Sequence, residues 1–212
     1  MFRNYIKNVA YLFVAACISS AHAGSYVDFF RAVNVDDART VTELLSRGFD
    51  ANAPNEQGHS GLYLALREGS VKVFDALMTH PGLRADAVNA YDETPMMMAA
   101  LRGNVDALQR LLDRGAAVNR SGWTPLHYAA CSTEPRAVAL LLERGADIEA
   151  ASANGTTPLM MAARYGAESV VFTLVRRGAS TAARNGLDLD AAAFARLAGR
   201  EPLARQLLAA VR

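Results

Sequence analysis

Apolar residues near the middle of the chain recur at helical spacing, and the pattern predicts two short helices joined by a turn. Ala129 and Ala130 follow Leu126 by three and four residues, the spacing of residues on one face of a helix. After a break over residues 131–135, a second apolar run covers residues 137–142. The pattern therefore predicts a helix, a turn and a second helix.

The residues at the ends of these predicted helices are types that commonly begin and end helices. The hydroxyl of Thr124 can cap the first turn, and Pro125 suits the first helical position, where no backbone N–H is needed. Gly145 suits the left-handed conformation that follows a helix. Arg144 precedes it, where a cation interacts favourably with the helix dipole. The unit therefore has a defined start and a defined end.

Approximate copies of this unit recur along the chain. The start motif returns as TPMMMAA from Thr94 and TTPLMMAA from Thr156, and Arg followed by Gly ends several second helices. Such regular spacing is typical of a repeat protein, in which each unit packs on its neighbours. The first-helix alanines follow one another at steps of 33, 34, 30, 33 and 33 residues: Ala32, Ala65, Ala99, Ala129, Ala162 and Ala195.

The repeated unit resembles the ankyrin repeat, whose signature is T-P-L-H-x-A with a period of 33 residues. The resemblance implies an all-α ankyrin-repeat solenoid of stacked antiparallel helix pairs with projecting β-turn fingers. The first and last copies lack the Thr-Pro start, as expected of end caps. The predicted organisation is a single ankyrin repeat domain over residues 24–212, with repeats at about 26–54, 55–90, 91–119, 120–151, 152–184 and 185–212.

Residues 1–23 resemble a cleavable signal peptide. Arg3 and Lys7 form a positive start, the apolar run over residues 9–18 is too short to span a bilayer, and Ala-His-Ala at 21–23 has the form of a cleavage site. With the arginine- and alanine-rich composition, this leader predicts export to the periplasm of a Gram-negative bacterium.

An alternative interpretation of the leader uses Val-Ala-Ala-Cys at residues 14–17, which resembles a bacterial lipoprotein box. Cleavage there would leave a lipoprotein anchored at Cys17. We favour the soluble product because residues 21–23 form a good cleavage site and Ile18 is an unusual residue after a lipidated cysteine.

The charge balance gives no indication of a nucleic-acid partner. The chain has 22 Lys and Arg against 21 acidic residues, and loss of Arg3 and Lys7 with the leader leaves 20 against 21, or −1. Nucleic-acid-binding domains usually carry a basic patch or a clear basic excess. We expect a monomer with a protein partner, no nucleic acid, and no membrane contact unless Cys17 is lipidated.

No catalytic motif or cofactor site is evident, so we expect no enzyme activity, cofactor or metal. His59, His80 and His127 occupy different structural positions in their repeats, without ligand partners at metal-binding spacing. The family resemblance implies a hydrogen-bonding role for His127 near its helix start. Only Cys131 would remain after leader cleavage, which excludes an intramolecular disulfide.

Clustered methionines leave a metal or redox protein as the least favoured alternative. Met96–Met98 and Met160–Met161 resemble thioether-rich sites for copper(I), and Cys131 offers a thiol. Consecutive helical residues, however, point about 100° apart, so they do not converge on one ion. We expect the methionines to pack in the core.

The family resemblance implies a protein-binding surface on the concave side, formed by fingers and the exposed ends of first helices. Aromatic and arginine side chains contribute much of the binding energy at interfaces. The alternative is that the arginines only solvate the surface while Trp123 packs on a neighbouring finger. The predicted protein-binding residues are Trp123, Tyr165, Arg67, Arg102 and Arg164.

The leading functional hypothesis is an exported, non-enzymatic ankyrin-repeat protein that binds another protein through its concave face. Its role would be to stabilise or assist a periplasmic enzyme, as resemblance to periplasmic ankyrin proteins implies. The alternative is a periplasmic inhibitor or immunity protein that blocks a toxin or an enzyme. Specificity in a repeat scaffold resides in a few variable positions, so the identity of the partner stays open.

Mass spectrometry of the protein isolated from cells tests the leader. We expect the exported chain to begin near Gly24, because residues 21–23 have the form of a signal-peptidase site. A chain that begins with a diacylglyceryl-modified Cys17 would establish the lipoprotein instead.

Overall fold

The computed structural model describes residues 24–210, which form two compact units, one ending at Arg84 and the other beginning at Ala85. Within the described residues the regular structure is helical, apart from an isolated bridge between Pro54 and Ser60. The first unit contains α1 (residues 24–34), α2 (Ala38–Ser46), α3 (Gly61–Glu68) and α4 (Val71–Thr79). The second unit contains α5 (Pro95–Leu101), α6 (Val105–Asp113), α7 (Pro125–Ala130), α8 (Pro135–Glu143), α9 (Pro158–Tyr165), α10 (Glu168–Arg176), α11 (Ala191–Leu197) and α12 (Glu201–Ala209).

The helices occur in pairs, which confirms the predicted fold class. In the first unit α4 packs against both α2 and α3. In the second unit α5, α7, α9 and α11 pack in series as a first layer. The helices α6, α8 and α10 pack in series as a second layer. Each predicted repeat holds one helix pair, with α1 beginning two residues before its predicted range. The predicted leader, residues 1–23, lies outside the described residues.

Threonine followed by proline begins three of the first-layer helices in the second unit. At the start of α5, the Thr94 hydroxyl accepts a hydrogen bond from the Met97 N–H (3.2 Å), while the Thr94 N–H donates to Met97 Sδ (3.4 Å). Thr157 and Met160 make the same reciprocal pair at the start of α9. Two backbone groups that the helix itself leaves unpaired are satisfied in this way.

The start of α7 has histidine in place of methionine. Thr124 and His127 form a capping box, and the His127 N–H also bonds to the Thr124 backbone carbonyl (3.0 Å). The Thr124 hydroxyl lies 2.9 Å from Nδ1 of the His127 ring. The imidazole therefore takes the capping role that the methionine sulfur has in α5 and α9.

Side chains that follow each helix pair bond to backbone atoms of the next pair. In the second unit Asp86 accepts from the Ala117 N–H, and Asn119 donates to the Gly145 carbonyl and accepts from the Asp147 N–H. In the first unit the amide of Asn52 bridges the Gly82 carbonyl and the Arg84 N–H in the same manner. Adjacent repeats within each unit are thus joined at their loops as well as through their cores.

Gly166, directly after α9, allows a close approach between α7 and α9. A Cβ atom at this position would lie 2.2 Å from the Ala130 carbonyl oxygen and 3.1 Å from the Ala162 Cα. The backbone is extended (φ −82°, ψ 166°), so the restriction is steric and not conformational. The neighbouring Ala167 N–H bonds to the Ser132 carbonyl (3.3 Å), which holds the two helix ends together.

We expect Gly166→Ala to lower the free energy of unfolding by about 1–3 kcal/mol, because the added methyl group overpacks a backbone contact. Urea denaturation followed by circular dichroism measures the change. Gly82→Ala is the control, since its Cβ would meet only the partly exposed His80 ring, at 3.3 Å. Unchanged stability of Gly166→Ala would show that the two helix ends can separate at little cost.

Candidate functional site

The structure places one predicted binding residue in the first unit and four in the second. Arg67, the penultimate residue of α3, is partly exposed, and its Nε donates to Glu68 Oε1 (2.7 Å). The remaining four residues are carried by α5, α7 and α9 or by the residues that flank these helices: Arg102, Trp123, Arg164 and Tyr165.

Arg102, Arg164 and Tyr165 lie where first-layer helices end. Arg102 follows α5, and the other two are the last residues of α9. The end of α7 is adjacent to the end of α9 through the Ala167–Ser132 hydrogen bond described above. Since α7 lies between α5 and α9, Arg102 and Arg164 are separated by two helix spacings, roughly 16–20 Å.

Arg164 and Tyr165 form one local feature of this surface. The Arg164 guanidinium carbon lies 5.1 Å from the centroid of the Tyr165 ring, within the range of a cation–π interaction. Tyr165 is 57% exposed. Arg164 forms no ion pair with a carboxylate in the part of the chain that the structure describes. The pair therefore presents an aromatic ring and a positive charge to solvent together.

Two leucines that were not predicted lie at the ends of helices in the same layer. Leu101 ends α5 and Leu197 ends α11, and both are exposed. The end of α11 is adjacent to the end of α9, because Arg200 donates to the Ala163 and Gly166 carbonyls. An exposed apolar residue thus ends α5, α9 and α11. Their position at a helix end is the sequence signal that could have identified them as contacts, but only aromatic and arginine side chains were among the predicted binding residues.

We define this exposed set, Leu101, Arg102, Arg164, Tyr165 and Leu197, as the helix-end surface of the second unit.

Trp123 lies at the other end of its helix, two residues before the first residue of α7. Its side chain is 42% exposed, and its ring packs edge-to-face with the His127 ring, with centroids 5.1 Å apart. A helix of six residues is about 9 Å long. The length of α7 therefore separates Trp123 from the helix-end surface, and its ring packs within its own repeat.

An ion pair joins two of the loops that form the fingers: the loop before α7, which contains Trp123, and the loop before α5. Arg120 donates to Asp92, a residue 28 positions earlier whose backbone has a positive φ of 62°. The Arg120 side chain is mostly buried. Trp123 therefore follows a finger whose position is fixed by its neighbour.

His127 is buried (1% exposed), and its hydrogen bonds determine which ring nitrogen carries the proton. Nε2 lies 2.9 Å from the Thr156 carbonyl oxygen, which can only accept, so Nε2 donates. Nδ1 then accepts from the Thr124 N–H (3.2 Å) and from the Thr124 hydroxyl (2.9 Å). Burial lowers the pKa of His127, partly opposed by the bond to Thr156. His127 is a neutral residue that links α7 to the finger before α9.

The methionines occupy the core. Met96, Met97, Met98 and Met160 are buried, and Met161 is partly buried. Among the described residues, no group of three or more His, Cys, Asp or Glu side chains could hold a metal ion. The same residues include no helix that is both long and apolar enough to span a membrane.

Cys131 is a partly buried thiol at the end of α7. Burial raises its pKa to about 11, and its Sγ lies 3.4 Å from the His127 carbonyl oxygen, to which it donates. A nucleophilic cysteine generally has a lowered pKa. The environment of Cys131 therefore disfavours a catalytic or redox role.

Comparison with known proteins identifies the family. The sequence profile described as "Ankyrin repeats (3 copies)" matches residues 29–121, 81–152 and 118–185, which together cover well over half of the chain. The chain belongs to the ankyrin-repeat family. Ankyrin repeats generally mediate protein–protein interactions, so the family indicates a protein partner.

Curated ankyrin-repeat proteins of several functions are similar to this chain. The E3 ubiquitin-protein ligase XB3 of Oryza sativa subsp. japonica is 31% identical over 48% of this chain and 23% of its own length. The nuclear factor NF-kappa-B p105 subunit of Gallus gallus is 32% identical over 73% of this chain and 16% of its own length. The chain thus spans less than a quarter of each of these relatives.

Alkylation with iodoacetamide at pH 8 tests the environment of Cys131. With a pKa of about 11, the folded thiol should react about tenfold or more slowly than in urea, because little thiolate forms. The urea-unfolded protein is the matched control, since Cys131 and Cys17 are the only cysteines and peptide mapping separates them. Equal rates would indicate an accessible, reactive thiol.

Proposed function

We propose that this chain is an exported, non-enzymatic ankyrin-repeat protein that binds a folded protein in the periplasm. The support for protein binding comes from the helix-end surface of the second unit. This surface combines exposed apolar side chains at the ends of α5, α9 and α11 with the Arg164–Tyr165 pair. Apolar and aromatic groups next to arginine are typical of the residues that dominate binding energy.

The observation that carries the proposal is the exposure of Tyr165 under a stacked guanidinium. A tyrosine with more than half its surface in water gains free energy when a partner covers it. The stacked Arg164 is oriented before binding, which reduces the conformational entropy lost on association. The helix-end surface is therefore the part of the second unit best suited to contact a partner.

Trp123 provides a second contact point, on the finger side of α7. Its exposed ring packs edge-to-face with His127, and it follows a finger fixed by the Arg120–Asp92 ion pair. Arg67 provides a contact in the first unit, where Glu68 orients its guanidinium. We propose that both residues take part in binding.

Export is supported by the signal-peptide-like leader, which lies outside the described residues. We place the protein in the periplasm, as a soluble chain or as a lipoprotein anchored at Cys17. There it would stabilise or assist an enzyme. An inhibitor or immunity protein would use the same surface but would silence its partner.

Affinity purification from periplasmic extract tests this proposal. We expect the tagged protein to capture a folded partner, and the double substitution Trp123→Ala and Arg102→Ala to weaken that affinity by about 2 kcal/mol or more. Tyr165→Ala should act in the same direction, because it removes the aromatic contact.

Arg205→Ala is the control, since Arg205 is exposed in the middle of α12 and is not part of the helix-end surface. Affinity unchanged in both test variants, the double substitution and Tyr165→Ala, would exclude these residues as the binding surface. Retained or increased activity of a captured enzyme supports an assisting role, whereas loss of its activity supports inhibition.

A further inference from the structure

One position near the start of first-layer helices is filled by different residues in different repeats. It is His127 in α7 and methionine in the flanking helices, Met97 in α5 and Met160 in α9. All three side chains accept a hydrogen bond from the N–H of the preceding threonine. Of these three acceptors, only the imidazole can bind a proton near neutral pH.

Protonation would remove the ability of His127 to accept this bond. In the neutral ring, Nδ1 accepts a hydrogen bond from the Thr124 N–H (3.2 Å), and Nε2 donates one to the Thr156 carbonyl. In the imidazolium both nitrogens are donors. The Nδ1–H would then donate to the Thr124 hydroxyl oxygen, 2.9 Å away, and the Thr124 N–H would lose its acceptor in a site where the His127 side chain is only 1% exposed. An unsatisfied buried donor is unfavourable, so protonation weakens the start of α7.

We propose that His127 makes the start of α7 acid-sensitive: protonation at Nδ1 breaks the bond from the Thr124 N–H and displaces Trp123. Trp123, Thr124 and His127 are close in both sequence and space. Thr124 follows Trp123 directly, and the indole and imidazole rings pack edge-to-face. Movement of either the Thr124 backbone or the His127 ring therefore changes the environment of the tryptophan.

Charged groups on the elements packed around α7 form hydrogen bonds, ion pairs or ring contacts with residues other than His127. Glu93, before α5, accepts from the Tyr128 hydroxyl, and Glu134 and Arg136, at the start of α8, pair with each other. In the fingers Arg120 pairs with Asp92, and at the end of α9 Arg164 stacks on Tyr165. On α7 itself the Cys131 thiol donates to the His127 carbonyl, away from the ring.

The direction of the pH dependence follows from burial. Burial lowers the pKa of His127 below 6.5, its value in an unfolded chain, although the Thr156 bond acts against this. The folded state therefore binds fewer protons than the unfolded state below this pH. The stabilising contribution is complete above pH 6.5 and is lost as the pH falls below 6.5 and through the lowered pKa.

Tryptophan fluorescence of the full chain tests the proposal directly, because Trp123 is the single tryptophan. We expect the Trp123 emission of the wild type to change between pH 7.5 and 5, with a midpoint below pH 6.5. His127→Met should abolish this transition, because methionine accepts the same hydrogen bond in α5 and α9 and does not titrate. An unchanged wild-type emission, or an identical transition in His127→Met, would overturn the proposal.

A second measurement needs no variant. In NMR spectra of the ¹⁵N-labelled wild type, we expect His127 to be the Nε2-protonated tautomer at pH 7.5. The Thr124 amide should shift with the same midpoint as the imidazole nitrogens. A Thr124 amide that does not move while His127 titrates would also overturn the proposal.

A consequence for binding depends on the proposed function. If Trp123 contacts a partner, affinity should fall in the pH range where His127 titrates, and His127→Met should remove that dependence. The fluorescence and NMR experiments need no partner. Failure of the proposed function therefore leaves them interpretable, and failure of the acid response leaves the binding proposal standing.

Discussion

Every helix pair in this chain depends on a neighbour to cover its apolar side. The helices of the described part are six to eleven residues long, too short to be stable in isolation. Small residues make this mutual coverage possible. Ala99, Ala129, Ala162 and Ala195 are fully buried within the second unit, and Gly166 lets the α9 end approach the Ala130 carbonyl. Stability in this unit is therefore a property of the contacts between repeats.

The same packing explains which features could be predicted from the sequence. The regular return of one alanine and of the Thr-Pro start predicted the helix pairs, because each repeat must present the same small surface to its neighbour. The role of Gly166 could not be predicted. Its restriction comes from a carbonyl 36 residues earlier, and its conformation is one that any residue can adopt.

The candidate site was predicted less completely than the fold. Position in the repeat, as the family resemblance implies it, predicted that Tyr165, Arg164 and Trp123 are exposed, and the structure shows all three at the surface. The predicted set grouped Trp123, which precedes the helix start, with residues at helix ends, and the structure separates them by the length of α7. Leu101 and Leu197 were not in the predicted set because only aromatic and arginine side chains were considered as contacts. Whether these residues bind a partner stays a prediction.

Several joints between repeats recognise only main-chain atoms of the neighbour. Asp86 bonds to the Ala117 N–H, Asn119 to backbone atoms of Gly145 and Asp147, and Glu149 to the Ser180 N–H. Every amino acid except proline offers the same N–H, so such joints place almost no demand on the neighbour's side chain. Selection can therefore rewrite the outward-facing residues of one repeat, and so its choice of ligand, without rebuilding the frame that carries them.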